Sequence, residues 1–387
     1  MEASPPTAVQ SHIEAAPLTS AAMPGRGWLR LFLPDAGRTA SLDGLRGLAV
    51  LVVLASHFSN NGLFPGHALS GAGKSGVYLF FVLSAFLLTA ALLRRDPADL
   101  RAAPVWIDYA LRRVLRIWPL YLVVLLTSWW ATRTGVGWWP YRIDTQSLWQ
   151  HLRLREGVSV LWSIPVEFTF YLWLPPVALV LAWLRVRGSP VVLQAALPVV
   201  LLILAAAAWP PAQSLVNDVR LGPYLGVFLC GVFAAVLDLW LRERPARPVV
   251  WGVAGMLALI AAVLGIPAVW AAATGASFDP AAGQRAFVAW GVIWAVLLLA
   301  VLHGPAWLRA PFAWMPLRWV GAISFSLYLW HLPVLAALRA SGAVVPGDGI
   351  APVLALAGAL AISALSYLLF ERPWQGLRYR GMQRRPL

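Results

Sequence analysis

Charged residues are scarce in this sequence, and their scarcity argues against a soluble globular fold. Only 12% of the 387 residues are charged, against about 25% in an ordinary globular protein. Apolar residues make up 60% of the chain, and the mean hydropathy is +0.71. One core of ordinary size cannot bury so much apolar surface, whereas a bilayer surrounds a helix bundle with apolar solvent. We therefore expect a polytopic integral membrane protein.

Cysteine and the common catalytic motifs are also missing. The single cysteine, Cys230, excludes a framework of disulfides within the chain. The sequence contains no metal-ligand spacing, no P-loop, no dinucleotide fingerprint and no Gly-x-Ser-x-Gly elbow. Nucleotide hydrolysis, redox chemistry and a metal site therefore have no support, and we expect no permanently bound cofactor.

Acidic residues are few relative to basic ones, which leaves a formal net charge of +14. The basic residues are spread between apolar segments instead of forming one compact basic domain, so nucleic acid is not an expected partner. Such a distribution is typical of loops at a membrane surface and of sites for anionic ligands.

Apolar runs long enough to cross about 30 Å of hydrocarbon predict an all-α transmembrane bundle. The ten candidate spans lie near residues 45–61, 75–94, 116–132, 161–184, 191–208, 221–241, 249–272, 286–303, 318–339 and 350–370. In the fourth span, Pro165, Pro175 and Pro176 predict a kink, a break or a re-entrant segment.

The distribution of basic residues predicts the orientation of the bundle. With ten spans both termini share one side, and most Lys and Arg residues fall in loops on that side. The positive-inside rule then places both termini in the cytoplasm. We expect a disordered or interfacial tail over residues 1–40, a transmembrane domain over 41–373 and a basic tail over 374–387. The expected location is the inner or plasma membrane of a bacterium.

His57 is the first ionisable residue inside a predicted span, where such a group is costly and therefore a candidate functional residue. It follows Arg46 by eleven residues, or about 16 Å of helix, so that Arg46 marks the cytoplasmic face and His57 the outer half. An imidazole can take a proton from a hydroxyl near neutral pH. A structural hydrogen bond to a neighbouring helix is the alternative.

Glu167 is the second such residue, four positions after Ser163 and on the same helical face. Its predicted depth matches that of His57, so its carboxylate could orient and charge the imidazole. A structural hydrogen bond between helices is again the alternative.

His331 lies in the middle of the ninth span, where it shares one helical face with Ser324 and Tyr328. A structural or substrate-orienting role and a chemical role are both open for this histidine.

Arg113 and Arg116 lie one turn apart at the predicted cytoplasmic mouth of the third span. Guanidinium groups spaced in this way bind phosphate oxygens in a bidentate manner, although clusters that follow the positive-inside rule look similar. Together with Arg46 and the deeper His57, they suggest an anionic head group held at the cytoplasm with a reactive tail reaching inward.

Five segments in this order resemble the motifs of membrane acyltransferase family 3, and the resemblance covers residues 41–373. The first, over 41–57, has the Leu-Asp-Gly-x-Arg-Gly pattern with Asp43 and an Arg-x10-His pairing. The other segments are 76–86, 113–116, 163–167 and 324–333, and the closing Phe-Glu-Arg-Pro at 370–373 is also similar. Ala85 stands where the family usually has Gly, and Phe325 where it usually has Tyr.

The resemblance implies an enzyme that moves an acyl group from acyl-CoA to a hydroxyl of a sugar, an envelope polysaccharide or a macrolide. It implies that Arg113, Arg116 and Arg46 bind the coenzyme A phosphates, and that His57, supported by Glu167, deprotonates the acceptor hydroxyl. A transient acyl-histidine is a variant of this mechanism. The other motif residues expected to orient substrate or support the structure are Asp43, Ser163, Tyr328 and His331.

The acceptor is open at the level of sequence. The compact chain, in which we see no appended soluble domain, favours transfer of a short acyl group to a macrolide antibiotic, with O-acetylation of envelope polysaccharide or O-antigen as the alternative. A transporter or flippase for a polar lipid or sugar is the competing class, in which His57 and Glu167 would relay protons. The absence of visible internal repeats in the sequence speaks against it.

Overall fold

The computed structural model describes residues 13–14, 40–64, 68–210, 217–279 and 286–379, and most of these residues are helical. Two strands of two residues, β1 (Ile13–Glu14) and β2 (Arg378–Tyr379), pair antiparallel. The predicted all-α fold is confirmed. The predicted tails over 1–40 and 374–387 lie largely outside the described residues.

Fifteen α-helices occur in the described part of the chain. They are α1 (Ala40–Asn60), α2 (Gly73–Leu93), α3 (Ala103–Arg133), α4 (Thr145–Leu152), α5 (Ser163–Val186), α6 (Val191–Ala208), α7 (Leu225–Arg242), α8 (Pro248–Leu264), α9 (Pro267–Thr274), α10 (Phe287–His303), α11 (Ala306–Ala313), α12 (Met315–Ala322), α13 (Ser324–Ala340), α14 (Ala351–Ser366) and α15 (Arg372–Gln375). Short 3-10 helices lie at Asp99–Arg101, Ser159–Trp162 and Gly222–Tyr224, and a π-helical turn, Tyr367–Glu371, joins α14 to α15.

The number of membrane spans agrees with the prediction once bent helices are considered. Seven helical segments of the described residues are long and apolar enough to cross a membrane, and the number rises to ten if each of three bent pairs is one span. The pair α8–α9 bends by 88°, α10–α11 by 103° and α12–α13 by 77°. The chain is therefore a multi-pass membrane protein, in which the spans predicted over 249–272 and 318–339 are each formed by a bent pair of helices.

Of the three alternatives predicted for the fourth span, a break and a re-entrant segment are wrong, because α5 is one continuous helix from Ser163 to Val186. Pro165 lies in the first turn, where a backbone N–H has no partner within the helix and its loss is harmless. The two prolines inside the helix, Pro175 and Pro176, are accommodated without a bend large enough to divide it.

Helix α1 lies at the centre of the bundle and contacts α11 and α12 through backbone atoms. A Cβ at Gly44 would collide with the carbonyl oxygen of Phe312, and a Cβ at Gly321 would collide with the carbonyl oxygen of Asp43. Small residues permit this close approach of helices inside a membrane. The N-terminal half of α1 is thereby held firmly against α12, which directly precedes α13.

Helices α6 and α8 form part of the periphery, where most of their apolar side chains are exposed. In a bilayer such surfaces contact lipid, so their exposure is compatible with a stable fold. The buried centre is formed mainly by α1, α2, α5, α7, α10 and α13.

Candidate active site

His57 and His331 meet in the centre of the bundle, although 274 positions separate them in the chain. Nδ1 of His57 lies 2.6 Å from Nε2 of His331, and the two rings are nearly parallel, with an interplanar angle of 5°. His57 is near the end of α1, and His331 lies in α13, where it is fully buried. The packing of α1 against the bent pair α12–α13 brings these two rings together.

The backbone around His331 determines which ring nitrogens carry hydrogen. Nδ1 of His331 lies 2.8 Å from the carbonyl oxygen of Tyr328 and 3.2 Å from that of Leu327. Because a carbonyl oxygen can only accept, Nδ1 of His331 carries the hydrogen, and Nε2 of the neutral ring is an acceptor. Nδ1 of His57 must then donate to it, which leaves the lone pair of a neutral His57 on Nε2.

Glu167 does not form the predicted hydrogen bond with His57. Its carboxylate accepts hydrogen bonds from the hydroxyl of Ser84, at 2.9 Å, and from the hydroxyl of Tyr171. Among the described residues, the ring of His57 is bonded to His331 alone. The expectation that Glu167 orients His57 directly is therefore corrected, and His331 has that position.

Ser163 and Tyr328, both selected from the sequence, are in direct contact. The hydroxyl of Ser163 donates to that of Tyr328 at 3.0 Å, and Tyr328 donates to the carbonyl oxygen of Val160 at 2.6 Å. These bonds join the beginning of α5 to α13. Ser163 thus bonds across to another helix, while Glu167, on the same helix, bonds to Ser84.

Two of the three predicted arginines line one opening, which we call the arginine cleft. Its polar lining comprises Arg46, Ser84, Arg116, Ser163, Glu167, Ser324 and Tyr328. Arg46 is also paired with Asp43, at 3.6 Å. The cleft therefore combines two cations with an apolar wall that includes Phe80 and Phe81.

Arg113 is placed differently from the prediction, since it is not among the residues that line the arginine cleft. Its guanidinium carbon lies 5.7 Å from the ring centre of Tyr171, the residue that donates to Glu167. Tyr171 thus lies between Arg113 and Glu167, which lines the cleft. The two cations that line the cleft are Arg46 and Arg116.

His57 opens into a different space, which we call the histidine cavity. Its polar and aromatic lining comprises His57, Lys74, Ser159, Trp162, Asn217 and Tyr328. Val77 and Tyr328 line both this cavity and the arginine cleft. The two spaces are therefore neighbours that share a wall.

Sequence reasoning missed four polar residues that line these spaces, namely Lys74, Ser84, Ser159 and Asn217. It also missed Tyr171, which donates to Glu167. Lys74 is the only lysine in the sequence and stands at the start of an apolar run. Ser84 lies within the motif segment 76–86, and Tyr171 follows Glu167 by one helical turn. The sequence therefore contained an indication for Lys74, Ser84 and Tyr171. None of these residues differs from its apolar neighbours as clearly as a histidine within a predicted span.

The fold and site define a multi-pass helical membrane protein whose ionisable groups face two adjoining spaces in the bundle. Residues 39–371 match the acyltransferase domain that defines acyltransferase family 3. The chain belongs to this family, so the predicted resemblance is confirmed.

Three relatives show the range of proteins that the chain resembles. It is 25% identical to the peptidoglycan O-acetyltransferase OatA of Listeria monocytogenes, over 86% of this chain and 55% of OatA. It is 27% identical to nodulation protein 10 of Rhizobium leguminosarum, over 91% of this chain and 97% of that protein. It is 28% identical to the putative membrane-bound transacylase BcsY of Komagataeibacter xylinus, over 90% and 85%.

The chain spans about half the length of OatA and of a putative peptidoglycan O-acetyltransferase of Bacillus subtilis, YrhL. No solved structure matches it.

Proposed function

We propose that this protein is a membrane O-acyltransferase that transfers a short acyl group from acyl-CoA to a hydroxyl of a sugar, with His57 as the general base. The observation that carries the proposal is the hydrogen bond between His57 and His331. It leaves the lone pair of His57 on the nitrogen that does not bind protein, in a residue that lines a cavity.

In the proposed reaction, Nε2 of His57 takes the proton of the acceptor hydroxyl while its oxygen attacks the thioester carbonyl. A bond from oxygen to carbon forms, and the carbon–sulfur bond then breaks. The thiolate of coenzyme A leaves and receives the proton that His57 holds. His57 thus returns to its starting state after each transfer.

Arg46 and Arg116 support the arginine cleft as the site of the acyl-CoA donor. Their guanidinium groups offer bidentate donors to phosphate, and the apolar wall of the cleft suits the uncharged arm that carries the thioester. Because Tyr328 and Val77 line both spaces, a donor in the cleft and an acceptor in the histidine cavity would meet at this shared wall.

In this proposal Glu167 acts in the arginine cleft, where the acyl-CoA donor binds, and not on His57. Its hydrogen bonds with Ser84 and Tyr171 hold the carboxylate in the cleft that contains Arg46 and Arg116. It would position these groups and the entering thioester, while His331 serves as the positioning residue for His57. Asp43 would hold Arg46 through their ion pair.

A sugar hydroxyl is the acceptor class that the relatives favour. Two of them are named for peptidoglycan O-acetylation and one for nodulation. None of these names mentions a macrolide, so macrolide tailoring stays a prediction from the sequence. The bacterial source of these relatives also favours a bacterial inner or plasma membrane as the location.

The test uses the purified full chain in lipid nanodiscs with radiolabelled acetyl-CoA and a panel of sugars. We expect labelled sugar from the wild type. The variant His57→Gln, which keeps a polar side chain but removes the base, is expected to lose about 10²- to 10⁴-fold in rate.

Asn60→Ala is the matched control, because Asn60 is exposed at the end of α1, three residues after His57, and lines neither space. It should keep most of the activity. Full transfer by a folded His57→Gln protein would refute the assignment of the base. Uptake of sugar into proteoliposomes without an acylated product would instead support a transporter.

A further inference from the structure

Lys74 is a cation in the histidine cavity whose partner is missing from the described protein. It lies in the first turn of α2 and lines the same cavity as His57. Its ammonium nitrogen lies 3.9 Å from the ring centre of Trp162 and 5.7 Å from that of Tyr224. It forms no hydrogen bond or ion pair with the residues that the structure describes.

The carboxylate that interacts electrostatically with Lys74 is that of Asp218. This carboxylate is already paired with Arg220. Both of its oxygens accept from the Arg220 guanidinium, at 3.0 Å and 2.6 Å, and one also accepts from the Arg220 backbone N–H at 2.9 Å. These contacts outweigh the effect of burial and hold the pKa of Asp218 below its ordinary value. Asp218 is therefore a fixed partner of Arg220, and none of the described residues accepts a hydrogen bond from Lys74.

Contacts with aromatic rings do not replace hydrogen bonds for an ammonium group. A ring face attracts the charge but accepts none of its three N–H bonds in the way an oxygen does. A charged side chain between helices of a membrane protein is costly unless it is paired or solvated. The position of Lys74 therefore favours a ligand that brings an anion.

Two other polar residues of the cavity have a backbone conformation that is unusual for residues other than glycine. Ser159 has φ 53° and Asn217 has φ 62°, and both line the cavity. Left-handed residues of this kind occur preferentially at binding and catalytic sites, where the surrounding structure holds them in place. Ser159 belongs to the 3-10 helix before α5, and Asn217 precedes Asp218 in the loop before α7.

We propose that Lys74, with Ser159 and Asn217, forms a subsite in the histidine cavity that binds an anionic group, a carboxylate or a phosphate, on the acceptor sugar. Lys74 supplies the charge, and the hydroxyl and amide supply neutral hydrogen bonds. The inference rests on the proposed function, because it takes the occupant of the cavity to be the acceptor. An acceptor held in this way would have its anion at Lys74 and a neighbouring hydroxyl near His57.

Contact with a lipid headgroup is the competing explanation for a lysine near a helix end, since long basic side chains reach toward the membrane surface. The ammonium of Lys74 instead lies over Trp162, which is 3% exposed, and it shares a cavity with His57. This placement favours a ligand within the bundle.

The first test uses Lys74 as its own probe, because it is the only lysine in the chain. An uncharged amine-reactive ester is applied to the full chain in neutral-lipid nanodiscs, and the peptide with residue 74 is quantified by mass spectrometry. Glucuronic acid and glucose 6-phosphate, at about ten times Kd, should each slow modification about tenfold, whereas glucose should not. Lys74→Arg provides the unlabelled control for this peptide.

Equal modification with all three sugars would overturn the subsite. Protection that appears only when the nanodiscs contain an anionic lipid would also overturn it, in favour of a headgroup contact. This readout does not depend on acyl transfer, so it judges the subsite even if the proposed function fails.

The second test compares transfer to the same sugars. The wild type should prefer the two anionic sugars to glucose by about tenfold in kcat/KM, the difference expected for one charge-assisted hydrogen bond. Lys74→Gln should abolish this preference through KM, and Lys74→Arg should keep it. An equal fall in kcat for charged and neutral sugars would contradict the subsite and place Lys74 in the chemical step. Absence of transfer to any sugar by the wild type would count against the proposed function alone.

Discussion

His331 is the one group bonded to the His57 ring among the described residues, and the backbone determines what it can accept. Because Nδ1 of His331 is committed to carbonyl oxygens of α13, only Nε2 is left to face His57. Enzymes often use a carboxylate to orient a histidine base. Under the proposed function, a second, neutral histidine takes this geometric role without adding a negative charge to the bundle.

The replacement His331→Phe should test this role, because phenylalanine keeps a ring but has no acceptor for Nδ1 of His57. We expect kcat to fall about 10²-fold, since the base loses its fixed tautomer, with little change in KM for either substrate. The measurement is steady-state acyl transfer with both substrates varied.

His331→Gln is the conservative counterpart, since its amide oxygen can accept from Nδ1 of His57. It should recover a substantial part of kcat. A purely structural role would give equal losses for both variants, together with a lower thermal midpoint, and a wild-type kcat in His331→Phe would rule out the positioning role.

At the level of elements, α4 shows how a loop outside the predicted spans becomes ordered. Asp144 caps its N-terminus by accepting from the backbone N–H of Ser147 at 2.7 Å. Near its other end, His151 is fully buried, donates through Nδ1 to the carbonyl oxygen of Ser147 at 2.9 Å, and accepts from the backbone N–H of Val158 at 3.1 Å. The helix thereby fixes the segment that leads to Ser159.

This arrangement predicts a loss of stability in acid. Burial lowers the pKa of His151 below its ordinary value of 6.5, although the Ser147 backbone and Glu156 oppose the shift. The unfolded chain therefore takes up this proton at a higher pH than the folded protein, so the contribution is present above about pH 6.5 and lost as the pH falls below it. Protonated Nε2 would also face the N–H of Val158, which is itself a donor.

The measurement is the thermal unfolding midpoint of the detergent-purified protein at about pH 7.5 and pH 5.5. His151→Gln is the comparison, because glutamine can both donate and accept. The midpoint of the wild type should fall more steeply than that of the variant. Identical pH dependence in the two proteins would show that His151 does not contribute.

The bent helix pairs are the elements that sequence patterns describe least well. An apolar run predicts that a segment lies in the membrane, but it does not show where the helix bends. The bend between α12 and α13 falls between Ala322 and Ser324, within one apolar run. It is this bend that gives α13 its direction toward α1.

For the whole molecule, the distribution of basic residues predicts that both termini face the cytoplasm. Two single cysteines test this orientation. Gln146→Cys, in the first turn of α4, should react with a membrane-impermeant maleimide in intact cells. Glu243→Cys, directly after α7, should react only after permeabilisation. Both positions are exposed in the structure.

The native Cys230 makes the wild type a suitable control, because this thiol is buried and should stay unlabelled. The reverse pattern of labelling would invert the topology and would place the arginine cleft on the side opposite to the cytoplasmic donor.

The sequence alone was enough to predict a multi-pass helical protein and its acyltransferase family, and it singled out His57, Glu167, Arg46 and Arg116 as candidate functional residues. These features are local, since an apolar run or an ionisable side chain within it is visible without its neighbours in space.

Only the tertiary structure decided how these residues are paired. His57 and His331 are far apart in the chain, and their contact depends on the bend before α13 and on the close packing of α1 at Gly44 and Gly321. Glu167 bonds to Ser84 instead of to His57, and Lys74 lines the same cavity as His57. Such contacts depend on relative helix directions and distances, and no periodicity within a single helix contains that information.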